Sequence, residues 1–458
     1  MYTVDFNSKG HFHFIGIGGV SMSGLAQVLL KRDFTVSGSD GVHSDYTDRL
    51  EELGAKIYYS QVADNITDDI DCVVYSAAIK DDNAELKTAR DKGIPTLTRA
   101  EFLGQLMNNY PESIAVAGTH GKTTTTSMIT QVLLELPDDP TISIGGNFQP
   151  INGNMHVGDC NTFLTEACEY TNSYHEFYAK YSIILNIEAD HLDFFKDLDD
   201  VRASFNKFAN NTKEDGRLII NNTIENVSEI TKGVKADVIT FGPDDSADCY
   251  ATDIEYDRIG NGSFVPMYKG EALPRIQLKV PGEHNIANAL AVIAFCKEFG
   301  IDNEIIKSGL EKYAGVDRRF QYKGTIRGID IYDDYAHHPT EIRTTLKAAK
   351  NYENERVVCV FQPHTYTRTK ALLKETAEAL KSADMVILAK IYPAREKDIY
   401  NISSADLQKE LEKMNVPCIY IDTFDGIEQF ILKKCMNNDL LITMGAGDIV
   451  KVGNDLLK

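Results

Sequence analysis

The segment Gly118-Thr119-His120-Gly121-Lys122-Thr123-Thr124 lies between an apolar run, residues 113–117, and a stretch of helical period. Two glycines let a backbone turn its N–H groups toward an anion, and a helix starting there adds the positive end of its dipole. A lysine so placed reaches the outer phosphates of a nucleotide, and the hydroxyl of Thr123 can hold Mg2+. The spacing, G-x-x-G-K-T, is two residues shorter than the usual G-x-x-x-x-G-K-[ST], because position 116 is Val. A plain glycine turn leaves Lys122 and the threonine run unexplained. The segment therefore reads as a nucleotide-phosphate loop, with Thr125 and Thr126 continuing into the helix.

Two acidic clusters follow, each at the end of a run that reads as a strand. TEACEY carries Glu166 and Glu169 just past residues 162–165; NIEADH carries Asn186, Glu188, Asp190 and His191 just past 182–187. Ligands of parallel α/β sheets bind at the carboxyl ends of strands, so both clusters should face the Lys122 loop. Carboxylates and an imidazole there would supplement Thr123 around the metal that a triphosphate requires.

GIGGVSMSG, residues 16–24, also follows an apolar run, and Asp40 falls about twenty residues later, where a ribose-binding acid would sit. This predicts a nucleotide or diphosphate at the first domain without saying which, and nicotinamide stays open. Three polar clusters mark the last third: Asp333, Asp334, His337, His338 and Glu341 in DDYAHHPTE, His364 and Arg368 in QPHTYTRT, and GAGD at 445–448. Arg318-Arg319-Phe320 reads as a hinge carrying cations into an anionic site. In GEHNIANALA, His284, Asn285 and Asn288 lie on neighbouring turns of one helix, where amides either read a base edge or cap the helix.

These clusters need rigid elements beneath them. Strands are predicted at 11–15, 34–36, 71–75, 113–117, 162–165, 182–187, 357–361, 385–388, 418–421 and 440–443. Helices are predicted at 20–30, after Lys122 with Met128, Ile129, Val132, Leu133 and Leu136 on its apolar face, and near Leu372, Leu411 and Phe430. The prolines at 137–140 end the second of these. Residues 221–281 read as an antiparallel elaboration. Strand and helix alternating in this way mean parallel sheets, and 458 residues at about 150 per domain suggest three domains. The expected boundaries are 1–109, 110–317 and 318–458.

A formal charge of −21 argues against a non-specific nucleic-acid or anionic-membrane binder, which needs a basic surface. The hydrophobic share of 43% is enough for a core in each domain. The eight cysteines include no C-x-x-C pair, which leaves zinc knuckles and dithiol redox sites without support. MYTVDFNSKGHF has no cationic start followed by an apolar core, and no apolar run approaches the ~20 residues needed to span a bilayer. A cytoplasmic protein without membrane insertion is expected.

Taken together and in this order, GIGGVSMSGLA, GTHGKTTT, EACEY with NIEADH, RRFQ, DDYAHHPTE, QPHTYTRT and GAGD resemble the Mur ligase family of peptidoglycan precursor synthesis, from about residue 12 to 449. The resemblance implies an α/β chain of three domains: a Rossmann-like domain for a UDP-sugar, a central P-loop-type ATPase domain, and a Rossmann-like C-terminal domain for an amino acid. It implies a monomer or homodimer that joins L-alanine to the lactyl carboxylate of UDP-N-acetylmuramate through an acyl phosphate, using ATP and two Mg2+. By the same resemblance Lys122 and Thr123 bind phosphates and one metal. Glu169 joins that metal, with Glu166 as the alternative, and His191 holds the second. His284 and Asn285 lie at the adenine and Arg319 near the nucleotide. Gly18, Gly19, Ser39, Asp40 and Ser76 line the UDP-sugar site, and His337 and Arg368 contact L-alanine. Asp334 and His338 either orient that crevice or assist deprotonation of the amine. Some members carry Arg where this chain has Thr365. Competing readings are a ligase for a preformed peptide, a nicotinamide-dependent dehydrogenase and a nucleotide switch.

Overall fold

The structure, a computed structural model, describes residues 2–191, 194–352, 354–394 and 396–458. The chain divides into two compact units, residues 1–249 with 291–306 and residues 250–290 with 307–458.

The first unit opens with five strands, β1 (His11–Ile15), β2 (Thr35–Ser39), β3 (Lys56–Tyr58), β4 (Cys72–Tyr75) and β5 (Thr96–Thr98), in the order 3-2-1-4-5. Every pairing is parallel, so the carboxyl ends share one edge. The helices between them are α1 (Val20–Lys31), α2 (Asp45–Glu52) and α3 (Ala84–Asp91), and α4 (Arg99–Met107) follows β5. The sequence predicts the second strand at 34–36 followed by a turn at 37–40, but the strand continues to Ser39. Its small residues are needed there: a Cβ on Gly38 would stand 2.6 Å from Ile17 and 2.7 Å from the Phe14 carbonyl oxygen.

The same unit holds β6 (Glu112–Ala117), α5 (Lys122–Leu133), β7 (Thr141–Phe148), β8 (Gly153–His156), β9 (Thr162–Ala167), β10 (Tyr181–Ile184), α6 (Leu198–Asn210), β11 (Arg217–Asn221), α7 (Val227–Ile230) and β12 (Asp237–Phe241). These strands run in the order 12-11-10-6-9-7-8, all parallel except β8. Three expectations change here. β11 and β12 prolong the parallel sheet, so the antiparallel region starts later than residue 221. Glu166 lies inside β9 rather than past it. α5 stops at Leu133, a turn before the prolines, leaving Leu136 outside. One core of buried side chains runs from Phe12, Phe14 and Phe102 through Tyr110 to Phe163 and Phe205. The rings of Tyr110 and Phe163 stack at 5.1 Å. This continuous apolar core ties the two sheets of the unit together.

The chain passes between units within β13 (Cys249–Tyr256), α8 (Glu283–Phe299) and α9 (Asn303–Lys312). In the second unit β14 (Asn261–Tyr268) pairs antiparallel with β15 (Glu271–Ala272) and β16 (Ile276–Pro281). Its main sheet contains β17 (Gln321–Ile326), β18 (Ile329–Asp334), β19 (Arg356–Phe361), β20 (Met385–Leu388), β21 (Cys418–Tyr420) and β22 (Asp439–Met444) in the order 17-18-22-19-20-21. Only β17 is antiparallel. Both faces are covered, by α10 (Pro339–Ala349), α11 (Tyr366–Ala371), α12 (Leu373–Leu380), α13 (Ser404–Lys413), α14 (Phe424–Lys434) and α15 (Val450–Leu456), over two separate apolar cores. The helix expected near Leu372 is two helices, and Leu372 is the break between them.

Candidate active site

In the first unit β6 lies between β10 and β9, and the Lys122 loop leaves its carboxyl end at that reversal of strand order. Gly118 has φ 145°, and a Cβ there would lie 2.9 Å from that of Leu185. Gly121, at φ 82°, precedes α5 with no side chain capping the helix start, so the helix start stays open to an anion. The loop is held from behind by Asn186. Its amide oxygen accepts from the His120 N–H at 2.8 Å, and its amide nitrogen donates to the His120 carbonyl at 3.0 Å. The Thr119 hydroxyl accepts from the Glu188 N–H at 2.9 Å. Asn186 and Glu188 thus fix the loop, a role that the sequence does not separate from ligand binding.

Lys122 donates to both oxygens of Glu169, at 2.9 and 3.2 Å, and to the Thr119 carbonyl at 3.1 Å. Burial alone would depress the ammonium pKa. The charge of Glu169, with contributions from Cys168 and Glu166, raises it instead, so Lys122 stays cationic. The imidazole Nε2 of His191 lies 3.7 Å from Glu169 and 3.8 Å from Asp190, and its ring packs on Tyr170 at 4.6 Å. The Thr123 hydroxyl donates to Glu166 at 3.1 Å, and the other oxygen of Glu166 accepts from the Gly145 N–H at 2.5 Å. Hydroxyl, carboxylates and imidazole thus gather around one buried cation. That is a donor set of hard oxygens and one nitrogen, with Glu169 only 2% exposed, and it suits a divalent cation.

At the edge of the first sheet, the Gly16 and Ile17 N–H groups donate to the Ser39 carbonyl and the Gly18 N–H donates to Asp40 at 2.9 Å. The second oxygen of Asp40 accepts from the Val42 N–H at 3.1 Å. Asp40 therefore shapes the glycine turn as well as standing beside it. Ser39 differs from expectation: it is fully buried, and its hydroxyl donates to the buried Glu85 at 2.5 Å, so it supports this edge from below rather than lining it. Gly18 and Gly19 lie in the turn after β1, and Ser76 directly follows β4.

In the second unit α10 opens at His338, whose Nδ1 accepts from the Thr340 N–H at 3.4 Å. Glu341 reaches back to the N–H groups of His337 and His338, at 3.1 and 3.3 Å. This makes a capping box in which His338 has a structural task. Asp334 accepts from the Phe320 N–H at 2.7 Å and the Ala336 N–H at 2.8 Å. Burial pushes its pKa up to about 6, against the pull of Arg319. Arg318 donates to Asp333 at 3.0 Å and to the carbonyls of Gly445 at 2.7 Å and Gly447 at 3.0 Å. It fastens the loop after β22 to the loop before β17, a role that its place beside Arg319 in the sequence conceals.

His337, His364 and Arg368 line one small pocket with Phe361, Thr369, Leu373, Thr376 and Leu407. Arg368 donates to Nδ1 of His364 at 3.3 Å, so that imidazole is neutral. Burial, then His337 and Arg368, lowers its pKa to about 4. Thr365 caps α11 with its hydroxyl toward the Arg368 N–H, at a φ of 62° rarely adopted by a β-branched residue. In the same unit His284 is exposed at the start of α8. Asn285 turns its amide into the chain, donating to the Pro281 carbonyl at 2.7 Å, and accepts from Asn288 at 3.2 Å. The two amides thus bond to each other and to the chain, and among the described residues neither caps a backbone N–H at the helix start. Arg319 lies 3.9 Å from Glu341 and over the Tyr335 ring.

Three family profiles match the chain. They are the Mur ligase family, catalytic domain, at residues 11–111, the Mur ligase middle domain at 116–296, and the Mur ligase, glutamate ligase domain, at 318–447. UDP-N-acetylmuramate--L-alanine ligases of Agathobacter rectalis and Lachnospira eligens are 55% and 54% identical to it, each over the whole of both chains. The crystal structure of the UDP-N-acetylmuramate-alanine ligase of Thermotoga maritima superposes with a TM-score of 0.79 at 30% identity, over 98% of each chain. With glycine-led loops on parallel strand ends and profile matches along nearly its whole length, the chain belongs to the Mur ligase family.

Proposed function

We propose that this protein is an ATP-dependent ligase that joins L-alanine to the lactyl carboxylate of UDP-N-acetylmuramate, releasing ADP and phosphate. The observation that carries the reading is the cluster of Lys122, Glu169 and His191 at the uncapped start of α5, in a chain whose full-length relatives bear that name. A carboxylate is a poor acyl donor, because it has no good leaving group. In the first step its oxygen takes the γ-phosphoryl group from ATP and ADP departs. The neutral amine of L-alanine then attacks the acyl-phosphate carbonyl, and the C–O bond to phosphate breaks as the amide forms and the amine proton is lost.

The chain's contribution is positioning and charge. Lys122 and the open N–H groups of α5 hold the outer phosphates, and Gly118 to Thr124 wrap them. Thr123, Glu169 and His191 would hold Mg2+, with Glu166 reaching it through Thr123. Mg2+ bound there would offset phosphate charge. Gly18, Gly19, Asp40 and Ser76 serve the UDP-sugar, and His284, Asn285 and Arg319 serve the adenine nucleotide. Arg368 holds the L-alanine carboxylate, with His337 beside it and Leu373 and Leu407 toward the methyl group. Asp334, with both oxygens on backbone N–H groups, orients this pocket. The domain limits 1–109, 110–317 and 318–458 belong to the same reading. So does a cytoplasmic location, which suits a chain whose eight cysteines are all free thiols. No helix among the described residues is long and apolar enough to cross a membrane.

Turnover with L-alanine compared against a preformed tripeptide tests the substrate. The proposal requires L-alanine to be used, and turnover with the peptide alone would refute it.

A further inference from the structure

The helix that carries Arg368 is short. α11 has six residues and ends at Leu372, too few turns to keep its shape unaided. Thr365 leads into it at φ 62°, a conformation costly for a β-branched residue. The Thr365 hydroxyl accepts from the Arg368 N–H only at 3.4 Å. Neither the length of this helix nor its own cap therefore fixes the direction in which Arg368 leaves the chain.

The loop after β20 supplies what the helix lacks. The Thr365 N–H donates to the Tyr392 carbonyl at 2.9 Å, and the Tyr392 N–H donates to the Pro363 carbonyl at 2.8 Å. The Tyr392 ring stacks on His364, with centroids 5.7 Å apart. Further along this loop the Glu396 N–H donates to the Pro393 carbonyl at 2.9 Å. The half-buried carboxylate of Glu396 accepts from the Thr367 N–H at 3.0 Å and from the Thr367 hydroxyl. An N–H group in the first turn of α11, which no carbonyl of the helix can satisfy, thus ends on a carboxylate from another loop. The charge of Glu396 also reaches His364, opposing the lowering of its pKa by burial, His337 and Arg368. That imidazole accepts from the Arg368 guanidinium at 3.3 Å. Glu396 therefore bears on both the helix beneath Arg368 and the ring beside it.

We propose that Glu396 is a positioning residue for the L-alanine site, aiming Arg368 through Thr367 and the start of α11. This rests on the reading of Arg368 as the group that holds the L-alanine carboxylate. The test uses the full chain with Glu396→Ala, Glu396→Gln and Thr367→Val, each alone and combined with Arg368→Ala, and measures kcat and the KM for each substrate. Glu396→Ala should raise the KM for L-alanine roughly 3- to 10-fold, the size expected for losing a hydrogen bond to a charged group. Turnover and the KM values for ATP and UDP-N-acetylmuramate should hold. Glu396→Gln keeps an acceptor oxygen and should recover most of the loss. Thr367→Val loses the hydroxyl link alone and should raise the same KM about twofold; it carries the test should Glu396→Ala not fold. With Arg368 already removed, none of these changes should raise the KM further, because residues acting through one group are not additive. An unchanged KM for L-alanine in Glu396→Ala, or in Thr367→Val where that variant stands in, would overturn the inference. A further rise of the same size in the Arg368→Ala background would also overturn it, since Glu396 would then act without Arg368. So would a loss spread over all three substrates, the mark of a merely structural role. An unchanged KM for L-alanine in Arg368→Ala would refute the reading of Arg368 and the inference with it, and a wild-type chain that does not use L-alanine would refute the ligase reading.

Discussion

Glu169 and Asp334 are both buried carboxylates near the carboxyl ends of parallel strands, yet they are held in opposite ways. Glu169 faces the ammonium of Lys122 and the imidazole of His191. Both are side chains, which can rotate to another partner. Asp334 gives its two oxygens to the backbone N–H groups of Phe320 and Ala336, which cannot leave without undoing two loops. A carboxylate held by side chains is available for chemistry. One held by backbone is part of the frame. The pKa directions agree, since Glu169 keeps Lys122 charged while Asp334 is itself pushed toward its neutral form.

The largest effect should come from removing the cation of the exchangeable pair. Lys122→Ala should lower the rate of phosphate release about 10²- to 10³-fold, as expected for losing a placed electrostatic stabiliser. The circular dichroism spectrum should be unchanged. Glu169→Gln should cost less in rate, about tenfold to a hundredfold, and should raise the Mg2+ concentration needed for half-maximal activity. It leaves Lys122 without its partner, so the melting temperature should fall as well. Arg368→Ala should raise the KM for L-alanine roughly tenfold and leave that for ATP alone, in keeping with one charge-assisted contact.

The smallest effect on rate should come from the frame. Asp334→Asn keeps one acceptor oxygen for two N–H groups, so it should lose about 1–3 kcal/mol of stability in denaturant titration with only a few-fold change in rate. The pH dependence gives a second handle. The folded pKa of about 6 lies above the ordinary carboxylate value of 3.8, so the folded chain binds this proton more tightly than the unfolded one. Its contribution to stability is complete below about pH 3.8 and is lost as pH rises through about 6. That part of the slope should vanish in Asp334→Asn. An unchanged slope would place the titration elsewhere.

Much of this was legible beforehand because strand–glycine–helix turns are local. The Lys122 loop, the turn at residues 16–19 and the polar clusters of the last third are each encoded within about ten residues. What escaped was whatever depends on partners distant in sequence. Ser39 reads as a turn residue, but parallel pairing carries β2 through it and points its hydroxyl at Glu85, 46 positions away. Arg318 and Arg319 are adjacent and alike, and only the loop after β22, 127 to 129 positions later, separates a latch from a cation that turns to Glu341 and Tyr335 instead. Leu372 fits a helix by periodicity, but the Arg368 carbonyl ends one helix there and a second starts at once.

The central claim is a coupling of three substrates in one reaction, and phosphate release tests it most directly. The wild-type chain is given ATP and Mg2+ with UDP-N-acetylmuramate, L-alanine, both or neither. Sustained release should appear only with both present, in equal amount to the amide formed. Release that is indifferent to L-alanine, or to the sugar nucleotide, would contradict the account.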